Sequence, residues 1–489
     1  MKLVELVEGL GRFDLDKSVR DLEIKAVSCD SRKVVADSLF VATQGVYAHG
    51  EDFIEDAQAR GARVIVTSAP RSGKAGVCYL SVADVHQFLC GVARRFYGDP
   101  SSRLRTVGIT GTNGKTTITY LLESIVRRIG QTCGVIGTIN YLVGGNIFPS
   151  QNTTPGLIDN QRLLAEMVKA GCAYCLMEVS SHALDQGRVD GIDFSCGVFT
   201  NLTSDHLDYH KTREEYFAAK ALLFRNLSPG AAAVINADDP YAEELIQSTK
   251  ARVVTYGIQK KADVMAKDIR ADIQGTTFTL FHPSGEIQIK TKFIGQHNIQ
   301  NIIAASAVAI QEKISFQKIK EGIEQLTCVP GRLEKVEGVG DVHVFIDYAH
   351  TEDALQNVLS TLRNVSGARI TVVFGCGGDR DKTKRPKMGK VASDLADFAI
   401  VTNDNPRSEA PEEIAKQIVA GIKKKNFKVI LNREVAIWEA LHQARKNEIV
   451  LIAGKGHESY QIFKDKIMPF DEKAIVRHCM EKQQKHSNV

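Results

Sequence analysis

The chain has 489 residues, 43% of them hydrophobic and 25% charged, with a formal net charge of +4; domains run to about 100–200 residues, so two to four are expected. A charge this close to neutral gives no electrostatic case for a nucleic-acid partner, and no uncharged apolar run reaches the roughly 18 residues of a membrane span. The ten cysteines lie scattered through apolar patterns, and only Cys172 and Cys175 have CxxC spacing, with no second pair to complete a zinc site; reduced thiols in a cytoplasmic setting are expected.

The N-terminal "MKLVELVEGLGRF" carries an acidic residue inside its apolar run and has no small-residue cleavage site, so it reads as a helix and not a signal peptide. Short apolar runs, "DSLFVAT" and "ARVIVTSA", then alternate with loops as far as "FYGDPSSRLR", whose Gly-Asp-Pro-Ser-Ser cluster marks a linker. From Thr106 the pattern becomes strand, glycine turn, helix: "TVGIT", "GTNGKTT", "ITYLLESIVRRIG". Glycines 108, 111 and 114 permit a tight turn whose backbone N–H groups face inward, and the helix behind adds its positive end. Lys115 is placed to reach β- and γ-phosphates and the Thr116 hydroxyl to ligate Mg²⁺. Position 109 is Ile, so the strict GxxxxGK pattern is not met, but the strand before and the amphipathic helix after are the context it requires. GTPases, kinases, ligases and motors all use such a loop.

Further buried strands, "CLMEV", "CGVFTNL", "AAAVINAD" and "RVVTYG", suggest a parallel sheet covered on both faces. Two of them run into clusters able to ligate metal: Glu178 and His182 in "MEVSSHAL", and Asp205, His206, Asp208 and His210 in "NLTSDHLDYHKT". In "REEYFAAKALLF", Lys220 shares a helical stripe with Tyr216, Phe217, Leu223 and Phe224. An ammonium there must be paired, neutralised or snorkelling, and a neutral amine can add CO₂ to become a metal-binding carbamate.

After "QLTCVPGRLEKV" the βα pattern restarts with "VHVFIDYAH", "RITVVFGCGGD", "DFAIVTND", "FKVILNR" and "EIVLIAGKG", each strand ending in the kind of polar or glycine-rich loop where open α/β sheets hold ligands. The tail "EKQQKHSNV" is expected to fray. One strand-to-helix junction, "AIVTNDNPRSEAPEEIAKQI", sets Asp404, Asn405, Pro406 and Arg407 in a row.

In order along nearly the whole chain, "GTNGKTT", "QNTTP", "MEVSSHAL", "TNLTSDHLDYH", "YFAAKALLF", "GQHNIQN", "PGRLE", "DYAHTEDAL", "GCGGDRDKTKRPKM", "DNPR" and "GKGHESYQ" resemble the motif series of the Mur ligases. The resemblance implies an α/β protein of three domains: residues 1–99 binding the UDP end of the substrate, 100–329 a P-loop ATPase with a mainly parallel sheet, and 330–489 a Rossmann-like domain for the incoming amino acid. It implies ATP on Gly111, Thr112, Asn113, Gly114, Lys115, Thr116 and Thr117, with His297, Asn298 and Asn301 beside the nucleotide. Mg²⁺ would be held by Thr116, Glu178, His206 and a carbamate on Lys220 (N6-carboxylysine). Lys115, Lys220, Glu178, His206, Arg332 and Asp347 form the implied catalytic set.

The same resemblance implies contacts to UDP-MurNAc-L-Ala-D-Glu from Cys29, Ser31, Val46, Tyr47, Ala48, Asn152, Thr153, Thr154, Ser180, Gln186 and Arg188. Meso-diaminopimelate would meet Arg380, Asp404, Asn405, Pro406, Arg407, Gly454 and Glu458. "DNPR" marks the family's diaminopimelate-adding members, and lysine-adding ones depart from it at the arginine. Physically, diaminopimelate differs from lysine by a distal carboxylate, which a guanidinium binds with two parallel hydrogen bonds. Asp404, an anion, is expected to hold Arg407 or an ammonium and not to touch that carboxylate. The expected protein is a cytoplasmic, monomeric ligase of peptidoglycan synthesis, acting on small molecules through an acyl phosphate, with no nucleic-acid or membrane partner. The rival readings are lysine addition, a folylpolyglutamate synthetase-like ligase and a P-loop nucleotide switch; "GCGGDRD" is not the GxGxxG of a dinucleotide-binding oxidoreductase.

Overall fold

Largely apolar runs become strands buried on both faces at the centres of the sheets, and among the described residues the chain makes three large sheets in succession and one two-stranded sheet. The structure is a computed structural model and describes residues 1–45, 49–71, 76–203 and 207–487. The first sheet has four parallel strands, Ala26–Ser28, Ser38–Val41, Ala62–Thr67 and Cys78–Ser81, ordered as in the sequence. The helix Val85–Phe96 begins where the Asp84 carboxylate accepts the Gln87 N–H at 2.8 Å, and it buries Phe88, Leu89, Val92 and Ala93 against one face of the sheet. The N-terminal run is helical only over Leu3–Val7. Gly9 turns the chain at φ 71°, and Arg95 Nη1 takes up the carbonyls of Glu5, Leu6 and Glu8, ending a helix that the sequence suggests is longer. "FYGDPSSRLR" is a fixed turn: Asp99, at φ 49°, accepts two hydrogen bonds from Arg94, which also bonds Asp193 of the next domain.

Among the described residues the second sheet has eleven strands. Its parallel centre is Arg105–Thr110, flanked by Tyr174–Glu178 and Cys196–Phe199, and it extends through Cys133–Ile136 on one side and Ala232–Asn236 and Arg252–Gly257 on the other. Helices Lys115–Arg128 and Gln296–Gln311 cover one face, while Leu157–Lys169 and Arg213–Arg225 cover the other. Antiparallel strands finish both edges, for example Gly275–His282 with Gly285–Thr291.

The third sheet runs in the order Glu334–Val336, His343–Asp347, Ile449–Ala453, Ile370–Phe374, Phe398–Val401, Phe427–Val429, parallel except for its first strand. Helices pack on both of its faces in a Rossmann-like arrangement. The final helix, Glu472–Ser487, continues into the tail expected to fray, because Val476, Cys479 and Met480 anchor it at i, i+3 and i+4. No helix among the described residues is long and apolar enough to cross a membrane.

Candidate functional site

The phosphate loop leaves the central strand at Thr110 and enters the helix at Lys115. Gly111 (φ 141°) lies where a Cβ would come 1.8 Å from Thr200 Oγ1, and Gly114 (φ 93°) where one would come 2.3 Å from Asn301 Oδ1; neither position tolerates a side chain. The loop is strapped to the end of the adjacent strand. Thr112 N–H donates to Asn201 O (2.8 Å), Asn113 N–H to Asn201 Oδ1 (3.0 Å), and the Thr200 hydroxyl to Asn113 O (2.6 Å). Lys115 lies across the loop, its Nζ donating to the carbonyls of Gly111 and Thr112, both at 2.8 Å.

Beneath the loop sits Glu178, 1% exposed. Its Oε2 accepts the hydroxyls of Thr116 (3.0 Å) and Thr138 (2.9 Å), and its Oε1 accepts the Thr138 N–H (2.9 Å). Gly137 makes room for it, since a Cβ there would lie 2.4 Å from Oε1. Arg332 Nη2 donates to the same Thr116 hydroxyl at 3.2 Å, and its guanidinium lies 5.0 Å from the Tyr348 ring centre. Asp347 accepts the Leu333 N–H at 2.5 Å; burial pushes its carboxyl up to about 6, with Arg332 and the Leu333 and Ala349 N–H groups pulling the other way. A cavity of about 290 Å³ runs from Thr112–Thr117 past Asn298 and Asn301 to Arg332 and Asp347. His297 also lines it, and burial pushes that imidazole down to about 4. Thr116 and Glu178 offer hard oxygen donors 3.0 Å apart at the cavity floor, which fits Mg²⁺.

Lys220 is 1% exposed on Arg213–Arg225, so it does not snorkel; its Nζ lies 4.3 Å from the Tyr216 ring centre, and the Tyr216 hydroxyl meets Thr112 Oγ1 at 3.2 Å. His210 is buried, with its Nε2 2.9 Å from the Ser181 hydroxyl. His206 lies outside the described residues, as do Val46, Tyr47 and Ala48.

The expected nucleotide-substrate residues of the central domain form one connected set. Thr153 Oγ1 meets Thr138 Oγ1 at 3.0 Å, the Thr154 hydroxyl donates to Glu178 O (2.8 Å), and Ser180 N–H donates back to Thr154 Oγ1 (3.1 Å). Arg188 bonds Gln186 Oε1 through Nε (3.0 Å) and Nη2 (2.6 Å), and Thr154 O through Nη1 (3.2 Å). Asn152 is exposed and holds the Tyr141 hydroxyl through its backbone. Cys29 (exposed) and Ser31 (buried) belong to the first domain, where nearby Lys33 reaches Asp159 of the central one at 3.1 Å.

At the amino-acid end, Arg407 adopts a left-handed backbone (φ 52°), held by N–H donation to Ile462 O (3.1 Å) and by acceptance from Lys464 N–H (2.7 Å). Its Nη1 donates to Gly378 O at 2.7 Å. A Cβ at Gly378 would lie 1.9 Å from Pro406 O, so the glycine pair of "GCGGD" lets the two loops touch. Asn405 is buried, donating to Glu458 Oε2 (2.9 Å) and accepting from Lys455 Nζ (3.0 Å) and Ile462 N–H (3.0 Å). Of the two roles expected of Asp404, holding Arg407 or an ammonium, the first is corrected: its Oδ1 accepts the Asn405 N–H at 2.8 Å, and its buried Oδ2 faces Gly454, where a Cβ would be 2.8 Å away. The left-handed turn at 407 carries the guanidinium to Gly378 instead. Arg380 is exposed, donating to Asp379 O.

Sequence reasoning missed Lys455, fully buried with its Nζ 3.0 Å from Glu458 Oε2, and Thr138, which holds both oxygens of Glu178. Lys455 sits inside "GKGHE", between two residues that were named, Gly454 and Glu458; Thr138 carries no local signal.

Comparison with known proteins agrees with this architecture. Residues 23–97 match the Mur ligase family, catalytic domain; 109–309 the Mur ligase middle domain; and 331–456 the Mur ligase, glutamate ligase domain. The UDP-N-acetylmuramoyl-L-alanyl-D-glutamate–2,6-diaminopimelate ligase of Bacillus licheniformis is 44% identical over 98% of this chain and 99% of its own. That of Caldanaerobacter subterraneus is 43% identical over 99% and 100%. A solved structure of a ligase of this name aligns with a TM-score of 0.72 at 33% identity, over 99% of this chain and 100% of its own. A folylpolyglutamate synthase from Mycobacterium tuberculosis aligns with a TM-score of 0.61 at 18% identity, over 81% of this chain and 94% of its own, a likeness of fold alone.

Proposed function

The chain belongs to the Mur ligase family, and from that premise we propose that it joins meso-diaminopimelate to the D-glutamyl γ-carboxylate of UDP-N-acetylmuramoyl-L-alanyl-D-glutamate at the expense of ATP. The observation that carries this reading is the continuity of one cavity from the phosphate loop, past Thr138, Thr153 and Ser180, to Arg332 and Asp347. Phosphate, acceptor carboxylate and the residues leading to the C-terminal domain therefore share one space.

A carboxylate becomes an amide only after its oxygen is made a leaving group. The γ-phosphoryl group of ATP passes to the D-glutamyl carboxylate with release of ADP; the neutral amine then adds to the acyl carbon, forming the C–N bond and giving up a proton, and the tetrahedral intermediate collapses by breaking the C–O bond to phosphate. Both steps develop negative charge. The loop N–H groups at the helix start, Lys115 and Arg332 are the fixed positive groups around it. Thr116 and Glu178, together with His206 and a carbamate on Lys220, would hold Mg²⁺, which would add positive charge at the phosphates. Lys220 is 1% exposed with its Nζ 4.3 Å from the Tyr216 ring centre, and the Tyr216 hydroxyl meets Thr112 Oγ1 of the phosphate loop at 3.2 Å, which sets the amine on the side of the loop that a carbamate would serve.

Arg407 selects the amine. With Nη1 anchored on Gly378 O, the guanidinium is fixed at the loop junction, and the rest of its fork matches the distal carboxylate that lysine lacks. Asn405 and Glu458, tied together through Lys455, form the polar wall beside it. The enzyme acts as a monomer on small molecules in the cytoplasm, a setting in keeping with ten unpaired cysteines. The test is release of phosphate from ATP with each substrate omitted in turn. One phosphate per tripeptide product, dependent on both the nucleotide dipeptide and meso-diaminopimelate, is expected; equal release with ATP alone contradicts the proposal.

A further inference from the structure

Away from the cleft, where the helix Val85–Phe96 of the first domain meets the central domain, three donor atoms of different chemistry converge. His86 Nε2 lies 2.8 Å from Asp190 Oδ2 and 3.6 Å from Cys90 Sγ, and all three atoms lie within 4.8 Å of one another. Both partners hydrogen-bond the same ring nitrogen, so this is not a relay through an imidazole; the three polar atoms face one point. His86 and Cys90 are one helical turn apart, which puts them on one face of the helix. Gly187 (φ 62°) forms the wall: a Cβ there would lie 2.4 Å from His86 Nε2 and 2.7 Å from Asp190 Oδ2, and would fill the space the donors share.

We propose that His86, Cys90 and Asp190 form a binding site for a borderline divalent cation, with Zn²⁺ as its reference ligand, that clasps the first domain to the central one. A mixed imidazole, thiolate and carboxylate set matches Zn²⁺ and excludes Mg²⁺ or Ca²⁺, which take oxygen ligands, and a water completes the tetrahedron. The carboxylate and the thiol both lie at the Nε2 edge of the ring, so the three groups draw positive charge to one point. Because Gly187 lies between Gln186 and Arg188, the cation ties that loop to the first domain.

Titration of the chelator-treated full-length protein with Co²⁺ tests this, since only a thiolate ligand gives an intense near-ultraviolet thiolate-to-metal charge-transfer band. One Co²⁺ per chain is expected to give the band, and Zn²⁺ to abolish it. Cys90→Ser should remove it, and Asp190→Asn should weaken binding by at least the about 10–100-fold that loss of an outer partner costs. Zn²⁺ should raise Tm by on the order of 3 °C in the wild type and not in Cys90→Ser. Absence of the band in the wild type, its survival in Cys90→Ser, or an equal Zn²⁺ shift in both proteins overturns the proposal.

Discussion

At the phosphate loop Lys115 lies over its own backbone, bonded to two carbonyls of the same turn, whereas in the C-terminal domain Lys455 is fully buried between Asn405 and Glu458. The first site is made of contiguous backbone shaped by two glycines. The second is made of side chains from three strand-end loops, around residues 377–380, 404–407 and 454–458, brought together by sheet order. A phosphate needs generic N–H donors and positive charge, which one loop supplies. Choosing one diamino acid over another needs spaced charges, and those come from distant parts of the chain.

Lys115→Ala should break the first site most severely, lowering kcat by about 10²–10³-fold with little change in Tm, as measured by steady-state kinetics and thermal unfolding. Lys455→Met should behave differently. Loss of its charge leaves Asn405 and Glu458 without their shared partner, so KM for diaminopimelate should rise by about 10–100-fold and stability fall by about 1–3 kcal/mol, while KM for ATP stays unchanged. Thr138→Val removes one donor to Glu178 and should cost roughly tenfold in kcat/KM, the value of about 1.4 kcal/mol.

A further change is read in stability against pH. The Asp347 carboxyl sits at about 6 in the folded protein, above its ordinary value of 3.8. The folded state therefore holds that proton more tightly than the unfolded one, and stability is lost as pH rises from about 4 through 6. Asp347→Asn escapes this loss. Its Tm relative to wild type should become more positive between pH 4 and pH 7, by the equivalent of about 1–3 kcal/mol.

The contrast between the two sites also explains what the sequence disclosed. "GTNGKTT" was legible because the loop, its glycines and its helix are contiguous, and the buried strands were legible because parallel strands covered on both faces are apolar throughout. The edge hairpins were not, because a strand such as Gly275–His282 alternates buried and half-exposed residues rich in Thr. Thr138 was illegible for another reason: it reaches Glu178 across 40 residues of chain. Lys455, flanked by glycines, looks like a surface lysine until sheet order buries it. That Arg407 turns away from Asp404 was illegible because nothing local announces the left-handed backbone at 407.

The central claim is that Arg407 reads the distal carboxylate. It is tested most directly by kcat/KM for meso-diaminopimelate and for L-lysine in wild type and Arg407→Ala, with ATP and the nucleotide dipeptide saturating. The account predicts strong preference for diaminopimelate in the wild type and a fall of roughly 10²–10³-fold for that substrate alone in the variant, the usual cost of breaking a hydrogen-bonded charge pair. Equal use of the two amino acids by the wild type, or unchanged use of diaminopimelate by Arg407→Ala, would contradict it.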